Sequence, residues 1–275
     1  MAHIELVTNG KTKHVIKFKH KADKPDPRDY RIPARPTDLP ALPKRIDLRA
    51  ECPPVYEQGS ISSCTANATA ALLDVVRKRD NLPFLHPSRL FIYYNCRVLN
   101  GDPEADHGST FRDALSTLYD TGVCAEADWD YDPTLLFQKP TDECYTKAIE
   151  NKFQYYALID QNETALKHCL NEGYPFIFSI ILFSSFEEDH MLFETGILSV
   201  PNPDQPKPPV LGRHAVCCVG YDDDKQLFLV RNSFGAEWRG DGHFCIPYSF
   251  MLDPECNEGF WTLRTSGEWK TVQIS

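Results

Sequence analysis

The chain reads as an α+β protein of two lobes, helical first and strand-rich second. Three patterns carry that reading. Apolar residues recur at helical spacing through the first half. Runs of β-branched and aromatic residues, separated by Gly and Asp turns, dominate from Phe176 onward. A proline-rich stretch at 22–45 shows neither pattern and separates a short N-terminal piece from the rest. A helical lobe followed by a sheet-rich lobe predicts a cleft between them.

The elements follow in order. Residues 1–26 alternate apolar and polar side chains and then turn basic, which predicts a short hairpin followed by an extended strap. The globular part is expected to begin near Ile46, with lobes of roughly 46–130 and 131–275. From Thr65 to Asp80, residues Ala66, Thr69, Ala70, Leu73 and Val76 share one helical face, and Asn81-Leu82-Pro83 ends the helix. Ser88 is a candidate N-cap for a second helix, and "GSTFRDALSTLYDTG" predicts a third, stopped by Gly122. "PFIFSIIL", "HAVCCVGYDDD", "QLFLVRNSF" and "GHFCIPY" read as strands. The rigid loop "SVPNPDQPKPPVLG" should form a wall beside one side of the cleft, the side where a leaving group would depart.

With 275 residues and 42% hydrophobic composition, the chain can bury a large core. Its longest apolar stretch, residues 174–182, is far too short to span a bilayer. No continuous hydrophobic segment of the kind a secretory signal requires opens the sequence, so the expectation is an intracellular or non-classically exported protein. A net charge of −10 disfavours a general nucleic-acid binder, and the only basic cluster is "KFKHKADK" near the N-terminus. Ten cysteines are too dilute for a disulfide scaffold and none forms a Cys-x-x-Cys pair; adjacent Cys217 and Cys218 read as buried strand residues rather than a metal site.

The candidate chemistry sits where "YEQGSISS" gives way to "CTANATAALLDVV". That junction places Cys64 at a helix N-terminus, where unpaired backbone N–H groups and the positive end of the helix dipole favour the nucleophilic thiolate. A thiolate of this kind needs a base, and among nine histidines His214, in a strand context, is the best placed. An imidazole needs an orienting partner, which Asn232 offers at a strand end, followed by Phe234 and Trp238 as a shield against water.

The runs "YEQGSISSCTANA", "RHAVCCVGYD" and "LVRNSFGAEWRGDGHFCI" resemble the papain and cathepsin family of cysteine peptidases. Gln58, Cys64, His214 and Asn232 match that family's active-site pattern in order, with Gln58 six residues before Cys64. The resemblance runs from about Ile46 to near Tyr248. It implies a papain-like fold with the nucleophile helix in one lobe, a β-barrel-like second lobe and the active-site cleft between. It implies thiol-dependent peptide hydrolysis through an acyl-enzyme on Cys64, with Gln58 and the Cys64 N–H at the oxyanion. The substrate is then a polypeptide, and no cofactor or metal is called for. "DHGSTFRDAL" occupies the place of a Gly-rich substrate-binding segment, so Gly108, Ser109 and Thr110 are candidate substrate contacts, with Trp238.

The departures are informative. The usual cysteine three residues before the nucleophile is Ile61, which removes a structural disulfide and leaves packing to hold the loop. Thr65 follows the nucleophile where an aromatic is usual, and Phe234 stands in for the usual Trp. About 45 residues precede the matching region, too few for the long helical inhibitory segment of secreted relatives. Those residues are expected to brace the domain or to combine a brace with a short propeptide lying across the cleft in cis, ahead of a purely inhibitory propeptide.

Each residue also has a plainer reading when taken alone. Cys64 would be a small buried hydrophobe, His214 a core histidine, Asn232 a turn residue, Gln58 a loop end, and Phe234 and Trp238 core aromatics. His107 and His190 read as structural or surface residues, and "YDDDK" at 221–225 as a solvated turn. Two other functions use the same parts: a related thiol amide hydrolase, transferase or deconjugating peptidase, and a catalytically silent binding scaffold. An intact quartet argues against the scaffold.

Overall fold

The computed structural model describes residues 3–8, 12–32, 41–202 and 204–265. Two segments, β1 (His3–Thr8) and β2 (Thr12–Lys17), pair antiparallel as the N-terminal hairpin. After the strap come β3 (Arg45–Asp47), α1 (Cys64–Arg79), α2 (Arg89–Leu99), α3 (Phe111–Asp120) and α4 (Asp142–Ala148). They are followed by β4 (Tyr155–Leu158), α5 (Glu163–Asn171), β5 (Phe176–Phe183), α6 (His190–Thr195) and β6 (Val210–Asp222). The chain then forms β7 (Leu227–Arg231), β8 (His243–Pro247), α7 (Tyr248–Met251) and β9 (Asn257–Arg264). Of the proline-rich run expected over 22–45, residues 33–40 lie outside the described residues. So does residue 203 of the proline-rich loop ahead of β6.

The helix starts follow their caps. Ser88 accepts the Phe91 N–H, as its position predicts, and Thr110 and Asp113 form a reciprocal capping box at α3. α1 carries no side-chain cap, and every residue from Cys64 to Val76 is buried. It is the central helix, packed by α2 and α3 on one side and by β5, β6 and β9 on the other. Its small residues make that possible: Ala66, Ala68, Ala70 and Ala71 let neighbouring elements approach closely.

The second half is a seven-stranded antiparallel sheet ordered β4-β9-β5-β6-β7-β8, with β3 also paired to β6. β6 is the long spine, in register with β5 on one side (Ile180 opposite His214) and with β7 on the other (Cys217 opposite Arg231). Both Cys217 and Cys218 are buried, and burial pushes both thiols well up. All ten cysteines are free. The acidic turn after β6 is spanned by lysines: Lys167 reaches Asp223 at 2.6 Å and Lys44 reaches Asp224 at 2.9 Å. α1 therefore abuts β6, and this contact brings the helix start at Cys64 beside the strand that carries His214.

Candidate active site

Cys64 opens α1 and His214 lies on β6; both are buried. His214 Nε2 lies 2.8 Å from Asn232 Oδ1. The same oxygen accepts the Ser233 backbone N–H at 2.8 Å. A backbone N–H can only donate, so that atom is the carbonyl oxygen of the amide, and His214 must donate from Nε2. The ring is thereby fixed as the Nε2–H tautomer. Its Nδ1 is left as an unprotonated nitrogen with no hydrogen-bond partner. Phe234 stacks on the imidazole at 4.9 Å and 24°, and Phe18 meets it edge-on at 5.3 Å. Trp238 stands one layer behind, packed on Phe234 at 5.4 Å and on Phe244 at 5.7 Å.

Gln58 is oriented by the same logic. Its Nε2 donates to the Ile61 carbonyl at 3.2 Å, and its Oε1 accepts the Ser233 hydroxyl at 2.7 Å. The Gln58 N–H also donates to the Ser233 carbonyl at 2.8 Å. Ser233 thus aligns both amides, Gln58 and Asn232, from opposite ends of the sequence. It lies inside a motif that the sequence singles out, yet the motif gives it no role.

The loop that leads into Cys64 is held by more than the packing of Ile61. Asp106 Oδ1 accepts the Ser62 N–H at 3.0 Å and the Tyr93 hydroxyl at 2.7 Å, and that hydroxyl in turn accepts the Gly108 N–H at 3.0 Å. Tyr131 donates to the Gln58 carbonyl at 2.9 Å and lies 2.5 Å from Ser63 Oγ. Arg89 sits 3.8 Å from the Tyr131 ring centre and 4.6 Å from that of Tyr56, and it donates to the Glu57 carbonyl and to Glu126. Asp106, Tyr93, Tyr131 and Arg89 escape a sequence reading because their partners lie far away in the chain. The one available signal is the position of Asp106, two residues before Gly108.

The cleft contains part of the chain itself. His20 donates its N–H to the Arg213 carbonyl at 3.2 Å, and Lys21 donates to the Ser109 carbonyl at 3.1 Å, so residues 17–23 bridge the two lobes. A Cβ on Gly108 would lie 1.7 Å from the Lys19 carbonyl oxygen, and one on Gly212 would lie 2.8 Å from that of Phe18. Only glycine admits the segment on both sides. His20 Nδ1 lies 2.9 Å from Thr65 Oγ1, with the His20 ring 4.3 Å from Phe111. Farther along, Asp23 accepts the Arg112 N–H and the Trp261 indole N–H, and residues 30–32 pair with Leu158 at the edge of β4.

This cover sets the charge state beneath it. Burial pushes the Cys64 thiol up, against the lowering effect of the Ala215, Thr65 and Lys19 backbone N–H groups. Burial likewise holds His214 down at about 4, although its bond to Asn232 favours the proton. The covered pair is therefore thiol and neutral imidazole, not the thiolate that a helix start alone favours. Desolvation wins because water has no access. Of the candidate substrate contacts, Gly108 and Ser109 meet the strap directly. Thr110 uses its hydroxyl to cap α3, and Trp238 lies behind Phe234.

A family model described as papain family cysteine protease matches residues 42–257. The chain belongs to the papain family of cysteine proteases. It is a cysteine-type peptidase with the two-lobed papain fold. The chain is 36% identical over 217 residues to an uncharacterized peptidase C1-like protein of Acanthamoeba polyphaga mimivirus, covering 76% of this chain and 68% of that protein. It is 27% identical over 201 residues to pro-cathepsin H of Bos taurus, covering 70% of this chain and 55% of that precursor. Among solved structures, it resembles xylellain, a cysteine protease from Xylella fastidiosa. That match has a TM-score of 0.81 and 34% identity over 91% of this chain and 96% of that one. A digestive procathepsin L 3 of Tenebrio molitor larval midgut shares the fold, with a TM-score of 0.67 at 16% identity over 86% of this chain and 74% of that one.

Proposed function

We propose that this papain-family peptidase cleaves internal peptide bonds through an acyl-enzyme on Cys64, and that residues 17–23 hold it closed in cis. The observation that carries the mechanism is the His214 tautomer: Nε2–H committed to Asn232, Nδ1 open and without a partner. In this reading Nδ1 takes the Cys64 proton when the cleft opens to substrate. The sulfur attacks the carbonyl, and the resulting imidazolium returns the proton to the leaving amine. Water then attacks the thioester with the same nitrogen as base, releasing the acid and restoring the thiol. The Gln58 amide, turned by Ser233, and the Cys64 N–H would carry the oxyanion.

Cys64→Ala should abolish peptide cleavage and labelling by an epoxide thiol reagent. Gln58→Ala should lower turnover about 10²–10³-fold while Cys64 labelling persists. Peptide digestion followed by mass spectrometry tests both. Full activity in either variant refutes the assignment.

A further inference from the structure

We propose that Asp106 is the specificity-determining residue of a cationic subsite beside Cys64, built to take a lysine or arginine side chain of the substrate. The inference rests on the peptidase reading above and adds the substrate's chemistry to it. Two strap lysines converge on this one residue: Lys17 Nζ lies 3.1 Å from Asp106 Oδ2, and Lys19 Nζ donates to the Asp106 carbonyl at 2.9 Å. Lys19 is also the strap residue whose backbone N–H faces the Cys64 sulfur and whose carbonyl rests against Gly108. The chain segment that fills the cleft thus places its ammonium groups on Asp106 while its backbone lies at the nucleophile.

The two carboxylate oxygens have separate duties. Oδ1 is committed to the protein, accepting the Ser62 N–H and the Tyr93 hydroxyl. Oδ2 is bonded to Lys17, a residue of the strap. When the strap leaves, Oδ1 keeps its donors and holds the carboxylate in place, while Oδ2 loses its cation. With the strap docked, 12% of the Asp106 side chain is exposed, and the strap's departure uncovers Oδ2 to whatever enters the cleft. A carboxylate held in place by Ser62 and Tyr93 and stripped of its counter-charge favours an incoming ammonium or guanidinium that takes the position of Lys17. The −10 net charge of the chain further favours cationic peptides on approach.

The test uses full-length protein carrying Phe18→Ala to loosen the strap, with and without Asp106→Asn. Peptide pairs carry lysine or norleucine at each of the three positions on either side of the cut. Charge-assisted hydrogen bonds of this type support a preference of about tenfold or more. At one position, kcat/KM for the lysine peptide should exceed that for the norleucine peptide by about that factor, and Asp106→Asn should bring the ratio to about one. A ratio near one at every position with Asp106 present, or one unchanged by Asp106→Asn, overturns the proposal. Because Asp106 also holds the nucleophile loop, a second measurement needs no substitution there. With Asp106 present, raising salt from about 0.05 to about 0.5 M should reduce the ratio severalfold, and a salt-independent preference counts against Asp106. If both peptides are cut equally, only the subsite fails. If no peptide is cut while Cys64 is labelled, the peptidase reading fails with it.

Discussion

The two ends of the described strap are held in opposite ways. Residues 18–20 are fixed mainly by buried side chains, besides the backbone bond of His20 to Arg213: Phe18 lies among His214, Phe234 and Phe186, and His20 lies under Phe111 and Thr65. Residues 30–32 are fixed by their backbone, which pairs with Leu158 while Arg31 forms an exposed ion pair with Asp160 at 3.3 Å. The first kind of contact is strong and specific to the cleft. The second is a single β-bridge at a sheet edge and depends little on which side chains are present. Cover and anchor are thus separable, so substitutions can loosen one without detaching the other.

The largest effect should come from Phe18→Ala. Removing a buried aromatic costs about 3–5 kcal/mol. Even the lower figure, spent on docking of the cover, should speed alkylation of Cys64 about a hundredfold, read by mass spectrometry. An unchanged rate would mean that the strap does not limit access.

Next comes pH. Docked His20 is held down at about 3, first by burial and then by His214 and Arg213, against an ordinary value of 6.5. The groups that face it are Thr65 of α1, His214 and Arg213 of β6, and Phe111 of α3. The docked form therefore binds fewer protons than the released form. Its stability from this group is complete above about 6.5 and is lost as pH falls toward about 3. Opening should rise by at least about tenfold per pH unit between about 6 and about 4, because His214, held down under the same cover, adds to the effect of His20. Hydrogen exchange at the Lys21 amide, corrected for its intrinsic rate, reads this, and His20→Gln should make the slope shallower, leaving the part that His214 contributes. The smallest effect belongs to the anchor. Arg31→Ala removes an exposed ion pair worth less than about 1 kcal/mol and should change Cys64 labelling by no more than a few fold.

The same division separates what was legible in the sequence from what was not. Helix α1 announces itself through small and apolar residues at helical spacing, α2 through its Ser88 cap, and β6 through an unbroken apolar run ending in Asp. Gln58, Cys64, His214 and Asn232 each sit inside a recognisable local motif. These signals are local, and local chemistry is what a sequence displays. The strand β9, "NEGFWTLR", is harder to see because Gly259 interrupts it and charged residues flank its apolar centre. Asp106 and Ser62 lie 44 residues apart, and Lys17 and Asp106 lie 89 apart. No periodicity encodes such pairs. "KFKHK" shows in the sequence only as part of a basic cluster, yet Phe18 and His20 are buried, because its alternation presents them to the cleft and leaves Lys17 and Lys19 to reach Asp106.

The glycines at 108 and 212 set a gauge. Backbone carbonyls of one extended strand rest where their side chains would begin, so the passage beside Cys64 is a single strand wide. An α-helix is about 10 Å across and cannot enter, nor can a hairpin, which brings two strands at once. A folded protein would have to surrender local structure before it could be cut. Under the proposed cleavage at Cys64, the unfolding equilibrium of the substrate joins the chemistry in deciding which proteins are cut.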